Sequence, residues 1–489
     1  MNKNIIFIYF WIFYVLWIFI NNMFQILTTS LLVLLFLVVL FLLLLFKKYK
    51  YSLIIIFSII WLIIGISISY LNIEKIQRNS DFLNNFRWKN LFIIEIVNTS
   101  KINEDWVIYV WKLKKINNTF IKWNILTEVN INWNYKLKKW TIIKLESKIY
   151  NYKNFNWFNY IKYNLSKDIY FKLYPYKVDI IEKKQYFIYD KILNLRENII
   201  NTINKIYTKD EAIFLAGILL WARENMSDEL SENFNKSWLT HIIAVSWFNI
   251  TIIIIFFWFI INWFSKLLKV TIMAIFISIF VILVWWWASV IRAAIMWLIW
   301  YIVISEWRSP NILSIIIFTL IIMLYLSPLS LNYDISLQLS FLAVLWIIYI
   351  NWYLEKVFYF ITNIFEIRNA FTLTISALIF TLPIIIFNFW QLSIISPLSN
   401  ILVIWTIPLI MLSWFLSIIL YHVNVYLWIF MWYFSWIFLS WDILIVNTLW
   451  WFKYSVLKYD FWIYKYYYEI IFIIILFFLI IWYKKWEKN

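Results

Sequence analysis

Apolar runs long enough to cross a bilayer dominate the chain. Three of them open it, near 5–20, 26–46 and 53–71, and about nine more fill the region from 242 to 482. Because about 20 apolar residues span the hydrocarbon core as a helix, this pattern predicts a polytopic α-helical membrane protein. The first run is followed at once by two others and lacks a small-residue cleavage site, so we expect a span rather than a cleaved signal peptide.

The later spans are predicted from uninterrupted apolar stretches between polar loops. They lie near 242–263, 268–287, 290–305, 311–326, 337–353, 370–388, 398–420, 425–445 and 468–482.

A polar stretch from 72 to about 200 separates the two sets of spans. Within it, the segments 91–97, 106–113 and 141–150 are rich in β-branched and aromatic residues with partial alternation. Such segments predict short strands of a small barrel or sheet. From about 186 to 208 the apolar residues take a helical spacing, which predicts a helix there.

Orientation follows from the positions of Lys and Arg in short loops. Lys47, Lys48 and Lys50, between the second and third spans, mark that loop as cytoplasmic. Counting crossings from this loop places the N terminus and the C terminus in the cytoplasm and residues 72–200 outside. We therefore expect a multi-pass protein of the cytoplasmic (inner) membrane.

The charge balance is strongly basic. The net charge is +17, and the segment 72–200 holds 23 Lys and Arg against 12 Asp and Glu. This excess favours anionic partners, either lipid head groups or nucleic acid. Cysteine is absent, so disulfides and thiolate chemistry are excluded.

Glycine and tryptophan are inverted in frequency. The chain has 2 Gly and 35 Trp, whereas average usage predicts about 34 Gly in this length. Tryptophan also fills positions where small residues let membrane helices approach, as in the run Trp285–Trp287. We hypothesise that the source organism reads UGA as glycine and that this translation reads it as tryptophan. The alternative is an aromatic-rich membrane protein with tryptophan belts.

Polar residues cluster at the mouth of the 242–263 span. His241 lies five residues before Ser246 and eight before Asn249. A hydrolase interpretation would pair Ser246 with His241, but five helical positions place the two side chains about 140° apart. A structural interpretation remains open, in which the serine bonds its own helix and the histidine caps it. A third is that these groups line a water-filled path.

Several ordered blocks resemble the ComEC family, the inner-membrane DNA channels of natural transformation. With tryptophan read as glycine, KSWLTHIIAVSWFNI (236–250) becomes KSGLTHIIAVSGFNI, which resembles the family signature. Further resemblance lies in ASVIRAAIM (288–296), SLQLSFLAVLW (336–346), TLPIIIFNFWQLSIISPLSNILVI (381–404) and FNWFNYIKYNLSKDIYFKL (155–173). The blocks together cover about 80–490.

The resemblance implies a channel that passes single-stranded DNA across the cytoplasmic membrane. Together with the apolar pattern, it predicts an N-terminal three-span membrane segment (1–71), an extracytoplasmic OB-like β domain (72–185), an amphipathic helical connector (186–237) and a competence-type membrane channel domain (238–489). Polar groups expected along the DNA path are His241, Ser246, Asn249, Arg292, Gln338 and Asn400. The signature positions expected to be glycine are Trp221, Trp238, Trp247 and Trp346.

Arg292 is the strongest of these candidates, because a charge inside a span is costly and a guanidinium binds phosphates well. Pairing with Asp334 or with a helix end is the alternative role for it.

Some features of the family are missing from the sequence. Many members carry a C-terminal metallo-β-lactamase-like domain, whereas this sequence ends soon after its last predicted span and its other histidine, His422, is isolated. No glycine-rich phosphate loop is visible. We therefore expect no catalytic residues, no metal and no cofactor, so the chain is not expected to be an enzyme. Its expected partners are single-stranded DNA, membrane lipids and a separate motor ATPase, DNA receptor and nuclease.

Two other functions remain open. A small-molecule or lipid-linked solute transporter would be favoured by inverted repeats, and none is visible. An intramembrane hydrolase would need paired carboxylates or a histidine–metal cluster within the spans, and neither is evident.

Overall fold

The computed structural model of the chain describes residues 15, 18, 52–86, 88–102, 106–117, 119–121, 124–132, 140–154, 158–183, 186–222, 226–237, 239–243, 247–261, 263–284, 288–305, 311–360, 367–389, 391–393, 395–421, 424–449 and 456–458. The described residues leave out the second and the last predicted spans, Trp285–Trp287 and His422. They include only residues 15 and 18 of the first predicted span.

The chain divides into two compact units. Unit 1 comprises Met1–Met226, His241–Phe341 and Trp414–Trp428. Unit 2 comprises Ser227–Thr240, Leu342–Ser413 and Ile429–Asn489. The domain boundaries expected from the sequence stay predictions.

Unit 1 contains an eight-stranded mixed sheet in the region where the sequence predicted strands. The strands are β1 (Asn90–Ile102), β2 (Trp106–Ile116), β3 (Thr119–Phe120), β4 (Leu126–Asn132), β5 (Thr141–Ser147), β6 (Ile149–Tyr150), β7 (Ile169–Leu173) and β8 (Lys177–Lys183). In β5, Ile143 and Leu145 are buried while Lys144 between them is exposed. This alternation is the period of a half-buried strand.

The strand pairing forms a continuous ring of ladders. Antiparallel ladders join β1 to β2 and β2 to β4, and a parallel ladder joins β4 to β7. Strand β7 then pairs with β6. Strand β5 is separated from β6 by a single residue and pairs with β1, which completes the ring. Strand β8 lies outside the ring on β5, and β3 forms a short hairpin with β2.

A long helix, α1 (Ser52–Asn84), joins the third predicted apolar run to this sheet. Its C-terminal part packs on the sheet core, which is made of buried aliphatic and aromatic residues such as Phe92, Trp111 and Phe171. Two polar contacts fix the helix: Lys75 Nζ lies 2.7 Å from Asp168 Oδ1, and Asn79 Nδ2 donates to the Tyr170 hydroxyl at 2.8 Å. Burial raises the pKa of Tyr170 to about 12.

The rest of unit 1 is helical. Its helices are α2 (Tyr160–Leu165), α3 (Phe187–Ile206), α4 (Lys209–Leu220), α6 (Thr240–Ile243, which begins at the end of unit 2), α7 (Trp247–Ile261), α8 (Lys266–Leu283), α9 (Ala288–Ser305), α10 (Ile312–Leu326), α11 (Ser330–Tyr333) and the start of α12 (Ile335–Val357). Residues 212–220 of α4 are all buried, as expected for a helix that is apolar all round.

Unit 2 contains α5 (Asp228–Lys236), the remainder of α12, α13 (Ile367–Phe389), α14 (Ser396–Ile404), the first half of α15 (Thr406–Tyr421), the greater part of α16 (Val425–Leu449), and two short paired strands, β9 (Gln391–Ser393) and β10 (Val456–Lys458). Side chains tie these elements together. Asn233 Nδ2 donates to Asn447 Oδ1 at 3.1 Å, and the Ser399 hydroxyl donates to the Ser237 carbonyl at 2.8 Å.

Three helices in the described residues are long and apolar enough to cross a membrane: Ile335–Val357, Leu398–Ser417 and Val425–Leu449. Shorter apolar helices cover Leu267–Leu283, Ala288–Ile304 and Ile312–Leu326. The helical class predicted from the apolar runs is confirmed at these places, together with an N-terminal mixed sheet.

Two tryptophans adopt left-handed backbone, Trp140 (φ 64°) and Trp221 (φ 57°). Trp221 follows α4, where its N–H donates to Gly217 O at 2.9 Å and the N–H of Ala222 donates to Ala216 O at 3.2 Å. The bond from the left-handed residue to the carbonyl four residues before it is that of an αL C-cap, in which glycine is the usual left-handed residue because it has no Cβ. The backbone at Trp221 is therefore of the kind that glycine favours. In contrast, Trp346 is buried inside α12.

Candidate nucleic-acid interface and buried polar groups

Three tyrosines form an exposed cluster where β6, β7 and β8 meet. This tyrosine cluster consists of Tyr150, Tyr174 and Tyr176, of which Tyr176 is 62% exposed. The rings of Tyr150 and Tyr174 meet edge to face with centroids 5.1 Å apart. A hydrogen bond to Tyr176 raises the pKa of Tyr150. The cluster presents aromatic faces and edges to solvent, which is what a stacking platform for nucleobases needs.

A lysine stands beside the cluster, held by a carboxylate. Lys89 Nζ lies 5.6 Å from the centroid of the Tyr176 ring and 2.8 Å from Glu146 Oε2. The hydrogen bond between them raises the pKa of Lys89 and lowers the pKa of Glu146. Both side chains are solvent-exposed, so the pair places a cation next to the rings without contributing much to stability.

A buried serine positions the backbone of the cluster. The Ser147 hydroxyl donates to the Tyr174 carbonyl at 3.0 Å, and the Tyr174 N–H donates to the Ser147 hydroxyl oxygen at 3.1 Å. The Tyr176 N–H donates to the Glu146 carbonyl at 3.0 Å. These bonds tie the segment between β7 and β8 to the end of β5, so the rings are carried by ordered backbone.

Arg292 is buried within unit 1 and binds the start of α12. It is 2% exposed, and its Nη2 lies 3.0 Å from both the carbonyl oxygen and the hydroxyl of Ser336. Asp334 interacts with it electrostatically and accepts the Ser336 N–H at 3.0 Å. The guanidinium thus contacts a helix end, the alternative role considered from the sequence. Its Nε and Nη1 have no hydrogen-bond partner among the described residues.

Gln338 reaches the same turn as Arg292. Its Nε2 donates to the Leu331 carbonyl at 2.9 Å, and its backbone N–H donates to the Asp334 carbonyl at 3.2 Å. The structure therefore brings two of the predicted path residues, Arg292 and Gln338, to the junction of α11 and α12.

The other predicted path residues are spread over the fold. Asn249, buried in α7, donates from Nδ2 to the Ile218 carbonyl at 3.3 Å. His241 lies in α6, but its side chain and all of Ser246 are outside the described residues. Asn400 is buried in α14 of unit 2, where its Oδ1 has no hydrogen-bond partner among the described residues.

The other two signature positions are Trp238 and Trp247. Trp247 begins α7, but its side chain lies outside the described residues, as does the whole of Trp238.

Sequence reasoning missed Asp442, a buried ionisable residue in α16. It is fully buried, and its carboxylate contacts the Thr406 hydroxyl. A signal for it is visible in the sequence: Asp442 is the only Asp, Glu, Lys or Arg between Arg368 and Lys453. A lone acid in so long an apolar region marks a functional candidate by its cost.

Comparison with known proteins gives one match. The model of the family described as Competence protein matches residues 218–488. No curated protein and no solved structure matches the chain.

Proposed function

The chain belongs to the competence protein family, and we propose from this that it is a channel through which single-stranded DNA crosses the cytoplasmic membrane. The family match over 218–488 carries the proposal, since it points to a role in DNA uptake. The apolar helices within that range supply candidate spans.

The sheet of unit 1 supports an OB-like DNA-binding domain. In the ring of ladders, β1, β2, β4, β7 and the joined β5–β6 follow one another, with a single parallel pair between β4 and β7. The OB-fold, a five-stranded, partly open Greek-key barrel, binds oligonucleotides on one face. The tyrosine cluster with Lys89 supplies the combination of aromatic rings and positive charge that single strands need.

The buried polar groups of unit 1 support a path for a phosphate backbone. Arg292 Nη2 donates to Ser336, while Nε and Nη1 have no hydrogen-bond partner in the part of the chain that the structure describes. A buried donor without a partner is costly, and a phosphate oxygen would satisfy it by a charge-assisted bond. Gln338 and Asn249, also in unit 1, are the other described residues that we propose for this path.

The orientation and partners remain part of the proposal. Lysines in the short loops support cytoplasmic termini and an external sheet domain at 72–200. A separate receptor would deliver DNA to that domain, a nuclease would remove one strand, and a motor ATPase would pull the other strand inward.

Binding of DNA by the full chain in lipid nanodiscs tests the proposal. We expect affinity for single-stranded oligonucleotides without sequence preference, falling steeply with salt as counterions are released. Tyr174→Ala and Tyr176→Ala should each weaken binding roughly 5- to 100-fold, the range of one base–aromatic stack.

Phe187→Ala is the matched control, because Phe187 is exposed on α3 with Lys191 Nζ 4.3 Å from its ring centroid. It should leave affinity unchanged. Salt-independent binding, or an equal loss in the control, would contradict a role for the tyrosine cluster.

A further inference from the structure

Asp442 is an ionisable residue in the middle of an apolar helix. It is 0% exposed within α16, one of the helices long enough to cross a membrane. Such residues are rare in spans and mark ion pathways or proton relays. Asp442 belongs to unit 2 and is not among the residues proposed above for the DNA path.

The carboxyl group faces a single hydroxyl. Thr406 Oγ1 lies 2.9 Å from Asp442 Oδ1 and 2.8 Å from Asp442 Oδ2. The same oxygen lies 2.5 Å from the carbonyl oxygen of Val403. Tryptophan rings support the contact on either side: the Trp441 indole donates to the Leu402 carbonyl, and Trp405 packs on Phe438.

The number of protons in this arrangement depends on the state of Asp442. Threonine has one hydroxyl proton, and a carbonyl or an ionised carboxylate has none to donate. If Asp442 is ionised, the Thr406 hydroxyl donates its proton either to the carboxylate or to the Val403 carbonyl. The contact that does not receive the proton then brings two oxygen atoms together with no hydrogen between them. If Asp442 is protonated, it donates to Thr406 and Thr406 donates to Val403. Protonation therefore places a hydrogen both between the carboxyl group and the hydroxyl and between the hydroxyl and the Val403 carbonyl.

From this geometry we propose that Asp442 and Thr406 form a reversible proton-binding site. Uptake of a proton from water forms the carboxyl O–H bond and leaves the Thr406 hydroxyl free to bond Val403. Release returns the proton to water and turns the hydroxyl toward the carboxylate. The inference goes beyond the proposed function and does not depend on DNA binding.

The site lies at an interruption of a candidate span. Helix α14 ends at Ile404 and α15 begins at Thr406, within the apolar stretch Leu398–Ser417. Pro408 lacks the N–H that would bond the Ile404 carbonyl, so the helix is weakened there. Because the Val403 bond belongs to this junction, the proton state of Asp442 controls the hydrogen bonding that holds α14 to α15. Broken helices of this kind carry the coupling-ion sites of many transporters.

Other titratable groups near the site are few. Residues 396–420 contain no charged or titratable side chain, and α16 contains only Tyr426 and Tyr433 besides Asp442. Helix α5 contacts α16 through Asn233 and Asn447; it carries Asp228 and Glu229, together with Glu232 and Lys236, which pair with each other at 2.8 Å.

Infrared difference spectroscopy of the full chain in lipid bilayers tests the proposal. We expect a protonated-carboxyl C=O band at neutral pH that shifts in deuterated water and disappears at higher pH. Asp442→Asn, which keeps the shape of the side chain, should remove this band. Asp334→Asn, at another buried aspartate, should leave it in place. Thr406→Val should shift its frequency while Thr406→Ser preserves it, a readout that does not require the aspartate to be replaced.

Three results would overturn the inference. If Asp442→Asn removes no band at neutral pH, the residue is ionised. If the band persists at every pH, the proton is permanent and the site is structural. If the pH at which half of the band is lost moves with the Na⁺ concentration, the ligand of the site is a metal cation.

Discussion

Arg292 Nη2 lies 3.0 Å from both the carbonyl oxygen and the hydroxyl oxygen of Ser336, the second residue of helix α12. One edge of the guanidinium therefore holds a helix start, while Nε and Nη1 have no hydrogen-bond partner among the described residues. The residue has a structural contact and an unused donor edge at once. These two roles predict different mutational results.

Replacing Arg292 should separate accumulation from DNA uptake. Arg292→Ala removes the bonds to Ser336, each worth about 1.5–3 kcal/mol for a charged donor, and leaves Asp334 buried without its cation. We expect poor accumulation of this variant in the membrane. The double variant Arg292→Ala/Asp334→Asn removes both charges and should accumulate better while still failing to take up labelled DNA.

Arg292→Lys keeps a positive charge without the planar fork and should retain partial uptake. If the double variant regains uptake along with accumulation, Arg292 is a structural residue and has no place on the path.

The importance of Arg292 was predictable from the sequence, whereas its partner was not. A charged residue in an apolar run is costly to bury, which marks Arg292 in the sequence. The turn at α11 that brings Ser336 and Asp334 to Arg292 depends on tertiary packing. The tyrosine cluster was hidden for a similar reason, because Tyr150 and Tyr176 come together only through the pairing of β5 and β6 with their neighbours. Strands were predictable from local alternation, but the ring of ladders depends on non-local pairing.

Trp221→Gly should stabilise the protein. A non-glycine residue in left-handed backbone costs about 1–2 kcal/mol, and Trp221 has φ 57° at the C-cap of α4. We therefore expect Trp221→Gly to unfold at a higher temperature than Trp221→Ala, measured on the full chain in detergent.

Trp346 provides the control, because the difference in stability between its glycine and alanine variants should have the opposite sign. It lies inside α12, where glycine costs about 1 kcal/mol relative to alanine, so Trp346→Ala should be more stable than Trp346→Gly. The same sign at both positions would show that left-handed backbone does not explain Trp221. The recoding hypothesis itself stays a prediction, and UGG codons at Trp238, Trp247 and Trp285 would refute it.

Gly217→Ala should destabilise the contact between α4 and α6. A Cβ at Gly217 would lie 2.5 Å from Ile243 Cγ2, and overpacking of this kind costs about 1–3 kcal/mol. Ile243→Ala removes the clashing methyl group, so Gly217→Ala/Ile243→Ala should be more stable than the sum of the single effects. Strict additivity of the two changes in unfolding free energy would mean that the residues do not touch.

The ion pair beside the tyrosine cluster should give a pH-dependent contribution to stability. The hydrogen bond to Lys89 lowers the pKa of Glu146 below its ordinary 4.5, so its contribution is present above 4.5 and lost as the pH falls through the lowered value. The pKa of Lys89 is raised above 10.5, so its contribution is present below 10.5 and lost as the pH rises through the raised value.

We expect Glu146→Gln to lower the unfolding temperature slightly at neutral pH and to match the unchanged protein in strong acid. Glu182→Gln, at an exposed carboxylate of β8, is the control. A difference for Glu146→Gln that grows as the pH falls would contradict the assignment.

Transport of DNA across the cytoplasmic membrane by this chain can be measured by fractionation of labelled DNA. A deletion strain, its parent and a complemented strain are given labelled duplex DNA, and surface DNA is separated from internal DNA by its sensitivity to added nuclease. The account predicts that the deletion strain still binds DNA at its surface, that nuclease-resistant internal DNA falls to background, and that complementation restores it as single strands. Internal DNA at the parental level in the deletion strain would contradict the account.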